Sequence, residues 1–236
     1  MSVKKVTVPG LGDVNLHKRR GVRSLRLSIE HDGTVRVSMP YWLPYAAGAE
    51  FARSRRDWIK SKQIVAVPLR HGGKIGKAHR MVFIPEAGRT TLATRITSSG
   101  EVRVFHPAHL SNSEPAVQKA AERASIRALK QQGEKLLPQR LRALAQHHGF
   151  EYGKISIKQL KSRWGSCSSE KDIALNCFLM QLPWHLIDYV LLHELMHTQI
   201  MAHGTPFWDE LSNYVPNLKA IRKEIKSYRP VLLTND

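Results

Sequence analysis

Cysteine is scarce in this chain, with two residues, Cys167 and Cys177, in 236. That number excludes a disulfide-stapled framework, and the spacing excludes a zinc ribbon, so both thiols are expected to be free and partly buried. Long apolar runs are missing as well. No stretch approaches the roughly 20 apolar residues of a membrane span, and the first ten residues lack the apolar segment of a secretory signal. These absences predict a cytoplasmic protein with no membrane partner. No repeat, low-complexity stretch or long charged tail stands out. With 42% apolar and 24% charged residues, the composition is that of a globular chain long enough for one large or two modest domains.

Acidic residues are the other shortage. Against 37 Lys and Arg stand 19 Asp and Glu, a net charge of +18. The excess is uneven: residues 1–112 hold 20 basic and 7 acidic residues, and residues 113–236 hold 17 and 12. That asymmetry predicts a basic amino-terminal region, 1–112, followed by a second region, 113–236. Basic clusters at 17–23, 53–56 and 74–80 suit phosphate oxygens, which makes a nucleotide or nucleic acid a candidate partner. The basic residues read as dispersed, however, with no aromatic stacking platform beside them and no helix-turn-helix or zinc-finger spacing. The shortage of acid also leaves no carboxylate cluster of the kind that holds Mg²⁺ beside a phosphoanhydride.

Alternation on both sides of Asp32-Gly33 predicts a hairpin over 23–39 with basic side chains on one face, the expected anion platform. An amphipathic helix over 44–60 follows, using Phe51, Trp58 and Ile59, and strands at 80–84 and 101–105 complete an α+β first part. A helix begins at Glu114-Pro115 and runs to Gly149, with a break or bend expected at Gly133 and Pro138. Strands are expected at 154–160 and 172–178.

The run from Leu191 to His197 contains His193, Glu194 and His197. On a helix the two imidazoles share a face and can offer two nitrogens to one Zn²⁺, while Glu194 points far enough round to remain free as a general base for an attacking water. The surrounding helix is apolar on nearly every side, and burying these three polar groups without a cation would cost several kcal/mol. The third ligand is expected to be His203, with Glu224 and Asp209 as alternatives. For His203 to return to the ion, the helix must turn near Ala202, with Gly204 supplying a positive φ and Thr205-Pro206 capping the next helix.

Upstream lies Arg163-Trp164-Gly165-Ser166-Cys167-Ser168, then a strand ending Leu175-Asn176. Asp188-Tyr189-Val190 leads into His193-Glu194-Leu195 and His197, and His203-Gly204 is followed by Phe207-Trp208. Over about residues 155 to 212 this order resembles the YgjP-like metal-dependent hydrolases, relatives of the SprT-like and WLM metallopeptidases. The resemblance implies an α+β chain with a zincin-like catalytic half, in which an active-site helix lies under a small sheet. It implies one Zn²⁺ held by His193, His197 and His203, with Glu194 as base. Arg163, Trp164, Gly165 and Ser166 become candidate substrate contacts. Where the family often has Asn and Ser flanking the third histidine, this chain has Ala202 and Gly204. Peptide-bond hydrolysis is the function expected first. Nucleoside triphosphate pyrophosphatase activity, or a protease acting at nucleic acid, are the alternatives.

Overall fold

The computed structural model describes residues 2–29, 33–62 and 68–232, the side chains of 61 and 62 excepted. The chain forms two compact units, Met1–Val67 and Pro68–Asp236. The division therefore falls well before the 112/113 boundary suggested by charge. The reason is packing: strand residues Met81, Phe83, Val102 and Val104 share one apolar cluster with Val117, Ala121, Ala124 and Leu129 of the long helix that follows them.

The first unit is a four-stranded sheet with two helices. Strands β1 (Ser2–Val8), β2 (Gly12–Arg19), β3 (Arg26–Ile29) and β4 (Val35–Pro40) lie in the order β1-β2-β4-β3. The central pair, β2 and β4, is parallel, and each edge strand is antiparallel to its neighbour. Alternation sets the two faces. Val14, Leu16, Val35, Val37 and Met39 form the core with Ala52 and Ile59, while Arg26 and Arg36 belong to the opposite set. The expected hairpin is thus present as β3 and β4; Gly33 closes it at φ +82, and Asp32 lies outside the described residues. The single helix expected over 44–60 is two, α1 (Tyr45–Ser54) and α2 (Arg56–Lys62), because Arg55 leaves helical geometry at φ −107. Ile59 is fully buried there, whereas Trp58 is 46% exposed.

The second unit opens with β5 (Lys74–Ile75), β6 (His79–Glu86), β7 (Ala93–Ile96) and β8 (Glu101–Pro107), in the order β5-β6-β8-β7 with β6 and β8 parallel. This is the topology of the first sheet again. A constant shift of 67 residues carries β2 onto β6, β3 onto β7, and β4 onto 102–107. Nine of the 32 positions from 12 to 43 are identical under that shift, among them Gly21/Gly88, Gly33/Gly100, Val35/Val102, Arg36/Arg103 and Pro40/Pro107. Both glycine pairs adopt positive φ, 80 and 76 for the first and 82 for each of the second. The chain therefore contains an internal duplication, which corrects the expectation of no repeats.

Helix α3 (Pro115–His148) runs unbroken for 34 residues through Gly133 and Pro138 and ends on Gly149 in the left-handed conformation. Strands β9 (Ile155–Lys158), β10 (Gly165–Cys167) and β11 (Ile173–Asn176) form a third sheet in the order β10-β11-β9. A 3₁₀ turn, Cys177–Gln181, leads to α4 (Trp184–Met196), then α5 (Thr205–Tyr214) and α6 (Leu218–Ile225). Both cysteines are free, Cys177 buried and Cys167 half-buried. Among the described residues no helix is long and apolar enough to cross a membrane.

Candidate metal centre

Helix α4 ends where the site begins. His193 lies in its last turn and His197 is its C-cap. Beyond the cap the chain folds back through tight bonds from the Thr198 and Gln199 amides to the Leu195 and Met196 carbonyls. The His197 ring fixes this bend: its Nδ1 lies 3.1 Å from the Ile200 carbonyl oxygen, so it carries the proton and leaves Nε2 bare. The turn thus comes at 198–200 rather than near Ala202. Gly204 takes no positive φ; it is extended at φ −75 and is the N-cap of α5, whose first residue is Thr205.

The return brings His203 to the other two histidines. Nε2 of His193 and Nε2 of His197 are 3.2 Å apart, His197 to His203 is 3.1 Å, and His203 to His193 is 3.0 Å. Three imidazole nitrogens facing one another cannot all hydrogen-bond: the single lone pair on His197 Nε2 can take one N–H, which leaves the third nitrogen without a partner unless a cation stands between them. A tetrahedral ion with bonds of about 2.0–2.1 Å separates its ligand nitrogens by about 3.3 Å, close to the triangle observed. Burial, and then the charges of His197, His203 and Arg222, hold His193 down to about 3, and burial lowers His197 too. Both rings are therefore neutral at ordinary pH, as metal ligands must be. The donor set fits Zn²⁺. Neither alternative third ligand joins it: Glu224 pairs with His185 at 3.0 Å, and Asp209 stands exposed on α5, outside the cluster of potential ligands.

Phe207, fully buried, floors the triangle, with its ring 5.0, 4.7 and 4.9 Å from those of His193, His197 and His203. The next residue, Trp208, donates its indole N–H to the His203 carbonyl at 3.0 Å, and the Arg222 guanidinium lies 3.6 Å over the Trp208 ring. Phe207 and Trp208 were visible as part of the motif but carried no assigned role. Arg222 had no sequence signal.

Glu194 is 4% exposed, and its Oε2 is buried without a hydrogen-bond partner. Burial pushes its carboxyl up to about 8, against the Arg163 guanidinium, which pulls it down. Strand β10 passes directly over it. A side chain on Gly165 would place its Cβ 2.6 Å from Glu194 Oε1 and 2.7 Å from Cγ, so only glycine admits this approach. Arg163, Trp164, Gly165, Ser166 and Cys167 line an open cleft of about 520 Å³ together with Tyr189, Glu194 and the three histidines. All four candidate contacts are therefore at the site. The segment is pinned by fully buried Asn176, whose Nδ2 donates to the carbonyls of Leu160 and Arg163 at 2.8 Å each.

Strand β10 is an edge strand. Bonds from the Asn176 amide to the Trp164 carbonyl and from the Ser168 amide to the Asp172 carbonyl fix which residues face β11. By antiparallel alternation Ser166 faces inward as well, leaving the N–H and C=O groups of Gly165 and Cys167 directed off the edge, beside the cleft.

No curated protein matches this chain. Among solved structures, the metallopeptidase zymogen abylysin of Pyrococcus abyssi is similar over 39% of this chain and 93% of its own, at 24% identity and a TM-score of 0.36. The family model of the YgjP-like metallopeptidase domain matches residues 23–228, most of the sequence, and the chain belongs to that family.

Proposed function

We propose that this protein is a zinc-dependent peptidase whose ion is held by His193, His197 and His203 and whose general base is Glu194. The observation that carries the reading is the triangle of three Nε2 atoms at 3.0–3.2 Å beside a buried carboxylate oxygen with no partner. When bound, Zn²⁺ would polarise the scissile carbonyl and acidify a water near neutral pH. Glu194 takes the proton from the attacking water and returns it to the departing amine. Burial strengthens it as a base for the first transfer, and the proton it then carries is the one it delivers in the second. Gly165 and Cys167 hold an extended peptide by main-chain hydrogen bonds along the β10 edge, which sets the scissile bond over Glu194. Arg163 faces the cleft from the same segment and attracts substrate oxygens.

The test compares wild type with Glu194→Gln after equalising zinc content, on an unstructured polypeptide and on nucleoside triphosphates in parallel. Polypeptide cleavage by the wild type, falling about 10²- to 10⁴-fold in the variant, is the expected result. Hydrolysis of triphosphate alone would sink the peptidase reading in favour of a pyrophosphatase.

A further inference from the structure

We infer that one end of the first sheet is a binding site for single-stranded nucleic acid, with Arg19, Arg20, Arg23 and Arg26 holding the phosphates and Tyr41 and Trp42 stacking on the bases.

Topology gathers these residues. Strands β2 and β4 are parallel, and Arg19, the last residue of β2, pairs with Pro40, the last of β4. Tyr41 and Trp42 follow at once. Strand β3 is antiparallel to β4 and starts at the same end, with Arg26 opposite Ser38. The segment from Arg19 to Arg26 and the turn after Pro40 therefore share one end of the sheet, neighbouring strands lying about 4.8 Å apart. Tyr41 is 60% exposed and Trp42 65%, and Arg20, Arg23 and Arg26 are exposed as well. Beside them Lys18 and Lys4 lie over the Tyr45 ring, at 4.5 and 5.4 Å, so cations and rings already meet here.

The charge of this unit is strongly positive. Residues 1–67 hold 13 Lys and Arg against 5 Asp and Glu, and no acidic residue falls between 14 and 29 or between 33 and 49. Asp13, at the far end of β2, is occupied by Lys5 and Thr7. Among the described residues no ion pair involves Arg19, Arg20, Arg23 or Arg26.

The duplication supplies an internal control. The same turns on the same topology in the second copy carry Glu86, Ala87, Thr90 and Ala93 in place of the four arginines, and Ala108 and His109 in place of Tyr41 and Trp42. The turn glycines and the core pattern persist through both copies, so the fold requires neither the arginines nor the rings. What the first copy adds is phosphate-binding guanidinium groups beside two open π faces. Guanidinium groups meet phosphates with two parallel hydrogen bonds, and exposed rings accept bases only where these are unstacked, which selects a single strand over a duplex. The site lies outside the metal centre and does not rest on the peptidase reading.

The test is fluorescence anisotropy of the full-length protein with labelled oligo(dT) and oligo(rU) 20-mers, a duplex of equal length, and anionic phosphatidylserine vesicles, across a salt series. Two double variants carry residues that the second copy tolerates: Arg20→Ala/Arg23→Thr and Tyr41→Ala/Trp42→His. Single strands should bind more tightly than duplex. The arginine variant should flatten the slope of log K against log salt by about 1.4, two contacts at about 0.7 each. The aromatic variant should weaken binding about tenfold or more with the slope unchanged. No binding of either oligomer at low salt, or equal binding by both variants and the wild type, would overturn the proposal. Vesicle binding that depends on Tyr41 and Trp42, without oligomer binding, would overturn it in favour of a membrane surface.

Discussion

Glu194 keeps its position because Gly165 has no side chain. A Cβ at Gly165 would meet Oε1, Cγ and Cδ of Glu194 at 2.6, 2.7 and 2.8 Å. Because the clash includes the stem of a side chain that is 4% exposed, rotation of the carboxylate alone cannot relieve it. Gly165→Ala should therefore lower kcat about a hundredfold while zinc content stays full, read by turnover and metal analysis together; an unaltered rate would mean that Glu194 is not the base at this position. A second residue-scale device lies away from the cleft. Gln132, nearly buried, donates to the Ile75 carbonyl at 2.9 Å and lies 2.7 Å from His79 Nδ1, while its oxygen accepts the Lys77 amide at 2.7 Å. With its Nε2 donating, His79 Nδ1 must accept, so this ring is neutral, and burial lowers its pKa below 6.5. A cationic group with a depressed folded pKa contributes stability that is present above its unfolded value and lost as pH falls through and below that value. Relative to His79→Asn, the wild type should lose urea stability between pH 7.5 and 5.5, and a gap independent of pH would refute this. The same loop explains why Lys77 is not a free phosphate ligand: its amine caps the Leu182 carbonyl at 2.5 Å. His193, Glu194 and His197 were legible because one helical turn fixes their geometry. Gly165 over Glu194, and Gln132 on the 75–79 loop, were not, because they depend on segments that meet only in the folded chain.

At the scale of elements, α3 shows how tertiary packing overrides local signals. Gly133 and Pro138 read as a break, yet the helix continues through both. Pro138 deprives the Glu134 carbonyl of its helical donor, but residue 134 is exposed, so solvent can supply a donor in its place. Gly133 is not a break but a contact: its Cβ position lies 3.0 Å from Ile157 Cγ2 and 3.9 Å from Cys177 Cα. The helix backbone sits that close to β9 and the 3₁₀ turn because no side chain intervenes. Pro138→Ala should stabilise the protein by about 1–3 kcal/mol, since it restores a donor at a site already helical. Gly133→Val should destabilise it by about 1–3 kcal/mol, because overpacking against Ile157 outweighs a propensity gain of a few tenths of a kcal/mol. Urea unfolding separates the two, and a Gly133→Val protein as stable as wild type would show that this contact is not closed.

At the scale of the molecule, charge misplaced the boundary because both copies of the duplicated sheet lie within the basic half of the sequence. The repeat itself was present in Gly33-Thr34-Val35-Arg36-Val37 and Gly100-Glu101-Val102-Arg103-Val104, but at nine identities in 32 positions its signal is thin until the matching strand order is known. The two copies have separate fates. Val8, Val14, Leu16, Val35 and Val37 close a small core of their own with Met39, Ala52 and Ile59, whereas Met81, Phe83, Val102 and Val104 join the large cluster that runs from Leu69 to Val215 and includes Leu191 and Leu195 of α4 and Phe207 beside the three histidines. Every residue that builds the centre, from Arg163 to Arg222, lies in the second unit. A protein truncated to residues 68–236 should therefore fold, unfold cooperatively, and bind zinc. In zinc at a hundred times its Kd the ion should add about 2.7 kcal/mol to the stability of this fragment and the same to that of the whole chain. Scanning calorimetry of both proteins, with and without zinc, makes the comparison. A fragment that folds but gains no stability from zinc would mean that residues of the first unit complete the site, and the assignment of the centre to the second unit alone would fail.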